Sequence, residues 1–145
     1  MEKIVVKGIN ELKGEVNISS AKNSILPIIA ATILCPECIV IDNTPLLEDV
    51  EVICKLLSEL NCDVSISNIT NKLIINTKNI VGIDANAELI RKMRASFLIM
   101  GPMLSRFGYC KLSMPGGCNI GSRPIDLHLK GFKLLGADII MGHGY

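Results

Sequence analysis

The chain contains no tryptophan, and only three phenylalanines and two tyrosines among 145 residues. So few flat rings leave little surface on which unpaired bases can stack. It also lacks an excess of either charge: fifteen Lys and Arg stand against fourteen Asp and Glu, for a net charge of +1. General nucleic-acid binders carry a strong basic excess, so no nucleic-acid partner is expected. No apolar run is long enough to span a bilayer. The longest, around SILPIIAATILC and SFLIMGPML, are short and contain proline, so no membrane partner is expected either. The opening MEKIVVKGIN has charges within its first three residues and no apolar h-region, which argues against a secretory signal. A cytoplasmic location is therefore the expectation, with the six cysteines kept as thiols.

What is present is a globular composition, 49% hydrophobic and 20% charged. A chain of this length buries roughly 70% of its unfolded surface, enough for a core. Residues Ile4 to Val6 and Gly14 to Ile18 read as short strands. NISSAKNSILPIIAATILC reads as a helix capped by Ser19 or Ser20, with Pro27 in its first turn or just beyond, where a missing N–H is tolerated. CIVIDN reads as a strand. LLEDVEVICKLLSEL reads as an amphipathic helix with Val50, Ile53, Leu57 and Leu60 on one face and Asn61 in the turn after it. CDVSIS and KLIINT form the arms of a hairpin.

The order then repeats. RASFLIMGPMLSRFG mirrors the first helix, CKLSMP the strand CIVIDN, and PIDLHLKGFKLLGADII the second helix together with the start of the hairpin. The period is 72 residues from Ser24 to Ser96 and 75 from Asp63 to Asp138. The second copy therefore carries an insertion, which falls in GGCNIGSR. An extra loop in one copy of a repeat is a candidate for function.

That loop sits within PGGCNIGSRPIDLH. Its glycines permit positive φ and close approach of a ligand, which a packing cysteine does not need. Cys118 is a free thiol, a metal ligand or a chemical group on this reading. Arg123 and Lys111 nearby favour the last, because a neighbouring cation lowers a thiol pKa and prepares it to donate a proton or attack. Cys35 and Cys38 form CPEC. There is no second C-x-x-C to complete a zinc site, so a turn between helix and strand is the simpler account. Lys22 and Asn23 open the first helix, either as solvated first-turn residues or as part of an anion site at a helix N-terminus. Arg94 occupies nearly the same place in the second copy, so the two cations can face one anionic ligand. Arg91 and Lys92 read as surface charges, and His128 as a satisfied or surface histidine.

Five stretches, NISSAKNSILPI, KMRASFLIMGP, RFG, PGGCNIGSRPIDLH and LGADI, together resemble the N-terminal part of the enolpyruvyl transferase family, which includes the shikimate-pathway EPSP synthase. The resemblance covers Ile4 to Tyr145. The Pro-Gly-Gly-Cys-x-Ile-Gly-x-Arg-Pro motif is similar to that of the branch acting on UDP-N-acetylglucosamine. It implies an α/β (α+β) fold of repeated βαβαββ units, the inside-out α/β barrel of this family, with about two repeats here. Residues 1–21 would be N-terminal strands that pack with a second domain, and 22–145 a partial first domain whose second repeat is truncated. The implied activity is transfer of the enolpyruvyl group of phosphoenolpyruvate to the 3-hydroxyl of UDP-N-acetylglucosamine, the first committed step of bacterial peptidoglycan synthesis, with no metal and no cofactor.

The resemblance also assigns roles. Lys22 and Asn23 match the pair that binds phosphoenolpyruvate. Arg94 matches an arginine that holds the substrates, and Arg123, Pro124, Ile125, Asp126 and Leu127 match the run that holds the UDP moiety, with Ile125 in place of a valine. Cys118 matches the proton donor and site of a covalent adduct, which is also the thiol alkylated by fosfomycin. Family members are about three times as long, and their second domain supplies an aspartate base and further arginines. The 145 residues alone are therefore expected to be inactive and, with strand edges exposed, to self-associate. The alternative is a non-catalytic nucleotide-sugar-binding fragment.

Overall fold

The computed structural model describes residues 3–8, 11–80, 94–113, 125–143 and 145, with residues 94–96 described by their backbone alone. Helix α1 spans Lys22–Ala31 and tightens into a 3-10 turn at Thr32–Leu34. Strand β1, Cys38–Ile41, comes next, then α2, Glu48–Glu59, and the hairpin strands β2, Asp63–Ser67, and β3, Lys72–Asn76. The second copy has a 3-10 helix at Arg94–Ile99 that continues as α3, Met100–Phe107, and later α4, Asp126–Leu134. The mixed α/β class expected from the sequence is what the chain adopts.

The sheet has the order β1-β3-β2 and is antiparallel throughout. Strand β3 is its centre. Leu73 and Ile75 point inward and are fully buried, while Lys72 and Ile74 face out, the period-two alternation of a half-buried strand. Ile75 aligns with Ile39 on one side and Val64 on the other. Over this sheet lies α2, whose Val50, Ile53, Cys54, Leu56 and Leu57 are buried together with Leu60 at its end, the apolar stripe read from its sequence with Cys54 and Leu56 added. Ile25, Leu26, Ile29 and Ile33 of α1 and its 3-10 extension join the same core, which Phe97, Ile99, Met103, Leu112 and Ile125 extend into the second copy. Burying a Leu or Ile side chain is worth about 1.5–3 kcal/mol, so this cluster dominates the stability.

The repeat is visible in how the helices stop. After α2, Asn61 takes a left-handed conformation (φ 68°). Its N–H donates to the Ser58 carbonyl and that of Cys62 to the Leu57 carbonyl. After α4, Gly136 (φ 95°) and Ala137 donate in the same way to Lys133 and Phe132. Both are Schellman motifs, which satisfy carbonyls left over at a helix end. They stand at the spacing that separates Asp63 from Asp138.

Besides this shared apolar core, the copies are joined by Arg106. Its Nη1 donates to the Ile33 carbonyl at 2.7 Å and to Thr77 Oγ1 at 2.9 Å, and its Nη2 donates to the Thr77 carbonyl at 3.1 Å. Thr77, fully buried, donates its hydroxyl to the Cys35 carbonyl at 2.6 Å. One guanidinium thus closes the end of α1 and the exit of β3 onto α3.

Several expectations are corrected. Residues 3–8 and 11–20 hold no strand. Ile4, Val6, Val16 and Ile18 stand exposed there, so the apolar pattern has no sheet to enter. The first unit is therefore αβαββ among the described residues. Neither Ser19 nor Ser20 caps α1. Its N-cap is Ala21, and the Ser20 hydroxyl instead donates to the Asn43 carbonyl at 2.7 Å. CKLSMP forms no strand over its described part, only an isolated bridge at Lys111. Residues 137–141 are also irregular, since no described segment pairs with them as β3 pairs with β2.

Candidate active site

The site grows from the start of α1. Ala21 is extended (φ −76°, ψ 131°) and no side chain caps the helix. No acid stands in its first turn. The hydroxyl of Ser24 does not compensate, because it donates to the Ala21 carbonyl at 2.9 Å. The leading N–H groups thus keep their partial positive charge for something outside the helix. Lys22 and Asn23 sit in this turn, both exposed.

Helix α2 starts differently. Glu48, Asp49 and Glu51 crowd its first turn and offset its own dipole. Asp49 also forms an ion pair with Lys22. The lysine side chain is 53% exposed and the aspartate 29%, so the aspartate is the more buried partner of the pair. Reading the sequence alone missed this pairing. The available signal was the contrast of three acids opening one helix and none opening the other.

The second copy lies alongside. The 3-10 helix that Arg94 opens packs against α1, so the two cation-headed segments are neighbours, as their matching positions suggested. Phe97 of that segment meets His128 of α4 edge-on, with ring centroids 5.9 Å apart at 77°. His128 is exposed apart from that contact, in keeping with a surface histidine. Ile125 is buried in front of α4, Asp126 opens the helix exposed, and Leu127 stands 75% exposed. The segments carrying Lys22, Asn23 and Arg94 are thus in contact, and the helix carrying Asp126 and Leu127 meets the 3-10 helix through the Phe97–His128 pair. Cys118, Arg123 and Pro124, and the charges Arg91 and Lys92, lie outside the described residues.

The other thiols differ from a reactive one. Burial pushes Cys54 from 9.0 up to about 11, with Glu51 adding to the shift. Burial raises Cys62 to about 11 as well, opposed by Arg106 and assisted by Asp63, and burial alone raises Cys110 to about 11. All three stay protonated at neutral pH and are poor nucleophiles. Cys35 is half-buried and Cys38 exposed. Among the described residues no group of three or more His, Cys, Asp or Glu is placed to hold a metal ion, and no helix is long and apolar enough to cross a membrane.

Comparison with known proteins places this arrangement. The family model described as EPSP synthase (3-phosphoshikimate 1-carboxyvinyltransferase) matches residues 6–145. The chain is 60% identical over 145 residues, its whole length, to UDP-N-acetylglucosamine 1-carboxyvinyltransferase 2 of Clostridium tetani, and 59% identical over the same length to UDP-N-acetylglucosamine 1-carboxyvinyltransferase 1 of Clostridium acetobutylicum. In each case it covers 35% of the relative, so it spans about a third of the length of these curated proteins. Among solved structures it resembles the enolpyruvyl transferase NikO from Streptomyces tendae, with a TM-score of 0.64 over 74% of this chain and 25% of that one. At 20% identity that likeness speaks to the fold.

Proposed function

The chain belongs to the EPSP synthase family, and from that premise we propose that it is part of an enzyme that transfers the enolpyruvyl group of phosphoenolpyruvate to the 3-hydroxyl of UDP-N-acetylglucosamine. The observation that carries the acceptor is the 60% identity over all 145 residues to a UDP-N-acetylglucosamine 1-carboxyvinyltransferase. The product would feed bacterial peptidoglycan synthesis, in the cytoplasm.

In this reading Lys22 and Asn23 hold phosphoenolpyruvate. An uncapped helix start with a lysine in its first turn suits a phosphate and a carboxylate. Arg94 and the run Arg123, Pro124, Ile125, Asp126 and Leu127 hold the nucleotide sugar. The Cys118 thiol gives its proton to the methylene carbon of phosphoenolpyruvate. The acceptor oxygen bonds to the adjacent carbon as its own proton passes to a base. Phosphate then leaves, and loss of a methyl proton restores the carbon–carbon double bond. Cys118 is also where an epoxide inhibitor of the fosfomycin type would attach.

The base is assigned to a second domain, against which residues 1–21 pack. The exposed apolar side chains of Ile4, Val6, Val16 and Ile18 suit that role. The same side chains, with Leu134 and Leu135 of the α4 end, make the isolated chain self-associate, which sedimentation at several concentrations detects. The acceptor is tested by incubating the full-length protein with phosphoenolpyruvate and UDP-N-acetylglucosamine and weighing the nucleotide sugar. A carboxyvinyl addition is expected. An unmodified nucleotide sugar, with no change on a Cys118→Ala substitution, overturns the assignment and leaves a binding fragment.

A further inference from the structure

We propose that Asp49 is a positioning residue for the anion site at the start of α1, acting on phosphoenolpyruvate through Lys22 rather than by contact. The inference rests on the reading of Lys22 given above. Asp49 is anchored: it sits in the first turn of α2, next to Val50, which is fully buried in the core. Its side chain is the more buried partner of the ion pair, and that of Lys22 the more exposed. A lysine ammonium has three donors. Pairing with Asp49 occupies one side of it and leaves the outward side for an anion. Helix α1 supplies no acid, and no side chain caps it, so the pair is what ties the lysine to the rest of the core.

The consequence is organisational. A free lysine side chain samples many rotamers, and ordering it when a ligand binds weakens the affinity. Asp49 orders it beforehand. The opposite role is a counter-ion that an incoming phosphate must displace, and it predicts the opposite sign.

Steady-state kinetics on the full-length protein separate these. Asp49→Asn is expected to raise KM for phosphoenolpyruvate about tenfold, the order set by the entropy of ordering one lysine, with kcat within about twofold. Asp49→Glu recovers part of the loss. The melting temperature barely moves, because a partly exposed pair adds little stability. A purely structural role would instead lower the melting temperature and leave KM alone. Lys22→Ala is the control. If it leaves KM for phosphoenolpyruvate unchanged, the underlying reading of Lys22 is wrong. If it raises KM while Asp49→Asn leaves KM unchanged or lowers it, or changes only kcat, the positioning role of Asp49 is wrong. Should Asp49→Asn fold poorly, Asp49→Ser carries the same test, with KM read well below its melting temperature.

Discussion

The two copies of the repeat hold similar helices and different sheets. In the first, α2 lies on three paired strands and α1 packs against α2, and together they bury a continuous core. In the second, the helical stretch from Arg94 to Phe107 and helix α4 form at the expected positions, but α4 has no buried residue and residues 137–141 stay irregular. Helix hydrogen bonds close within the segment, so local pattern and an end motif suffice to place a helix. Strands need a partner, and both β1 and β2 find it in β3. The second copy has no described counterpart of β3, and its helix α4 shows what the same pattern does without one.

That contrast can be broken most severely in the core. Ile53→Ala or Leu57→Ala in α2 should cost about 2–5 kcal/mol of unfolding free energy in urea, as for large-to-small changes at buried sites. Leu134→Ala in α4, at a side chain 79% exposed, should cost less than about 0.5 kcal/mol. Equal costs would mean that α4 is packed as firmly as α2.

The joint between the copies comes next. Arg106→Met leaves the Ile33 and Thr77 carbonyls without their charged donor, and should cost about 1.5–3 kcal/mol. Arg106→Lys, which cannot reach with two nitrogens, should fall between. A neutral result for Arg106→Met would show that the copies hold together by apolar packing alone.

A pH series sharpens the comparison further, because Cys54 and Cys62 belong to the first copy. Their folded thiols ionise near 11 against an ordinary 9.0, so between those values the folded state binds more protons than the unfolded one. Stability is full below about pH 9 and falls as pH rises toward about 11. Cys54→Ala should flatten part of that fall, which thermal melts along the series would record. A flat profile in the unsubstituted chain would show that these thiols are not shielded.

The smallest effect concerns labelling. At neutral pH a limited amount of alkylating agent should modify Cys118 first, and Cys54, Cys62 and Cys110 last, as peptide mapping would report. Labelling of Cys110 ahead of Cys118 would mean that the glycine loop does not activate its thiol.

Much of the first copy was legible in the sequence, and the reasons are specific. Val50, Ile53, Leu57 and Leu60 repeat at helical spacing, and Asn61 marks the stop. The hairpin announced itself by two apolar runs around a polar turn. Lys22 and Arg94 were singled out because they open matching segments, and those segments pack together. Tertiary competition hid the rest. Ser20 has the chemistry of a cap, but its hydroxyl goes to Asn43, 23 residues away. Ile4 to Val6 and Gly14 to Ile18 have strand composition and no described neighbour to pair with. Arg106 and Thr77 are ordinary residues until the fold brings a carbonyl from each of two segments to them. Asp49 carries no signal of its own in the sequence, and only its contact with Lys22 ties it to the site.

The central claim is that these residues supply one side of a carboxyvinyl transfer site and depend on the remaining length seen in relatives for the other. The direct measurement is phosphate release from phosphoenolpyruvate in the presence of UDP-N-acetylglucosamine, made on residues 1–145 alone and on the same residues within the full-length protein. General base catalysis contributes about 10²–10⁴-fold, so release is predicted only from the full-length protein, and is lost there on Cys118→Ala. Release at an enzymatic rate from residues 1–145, or full activity with Cys118→Ala, would contradict the account.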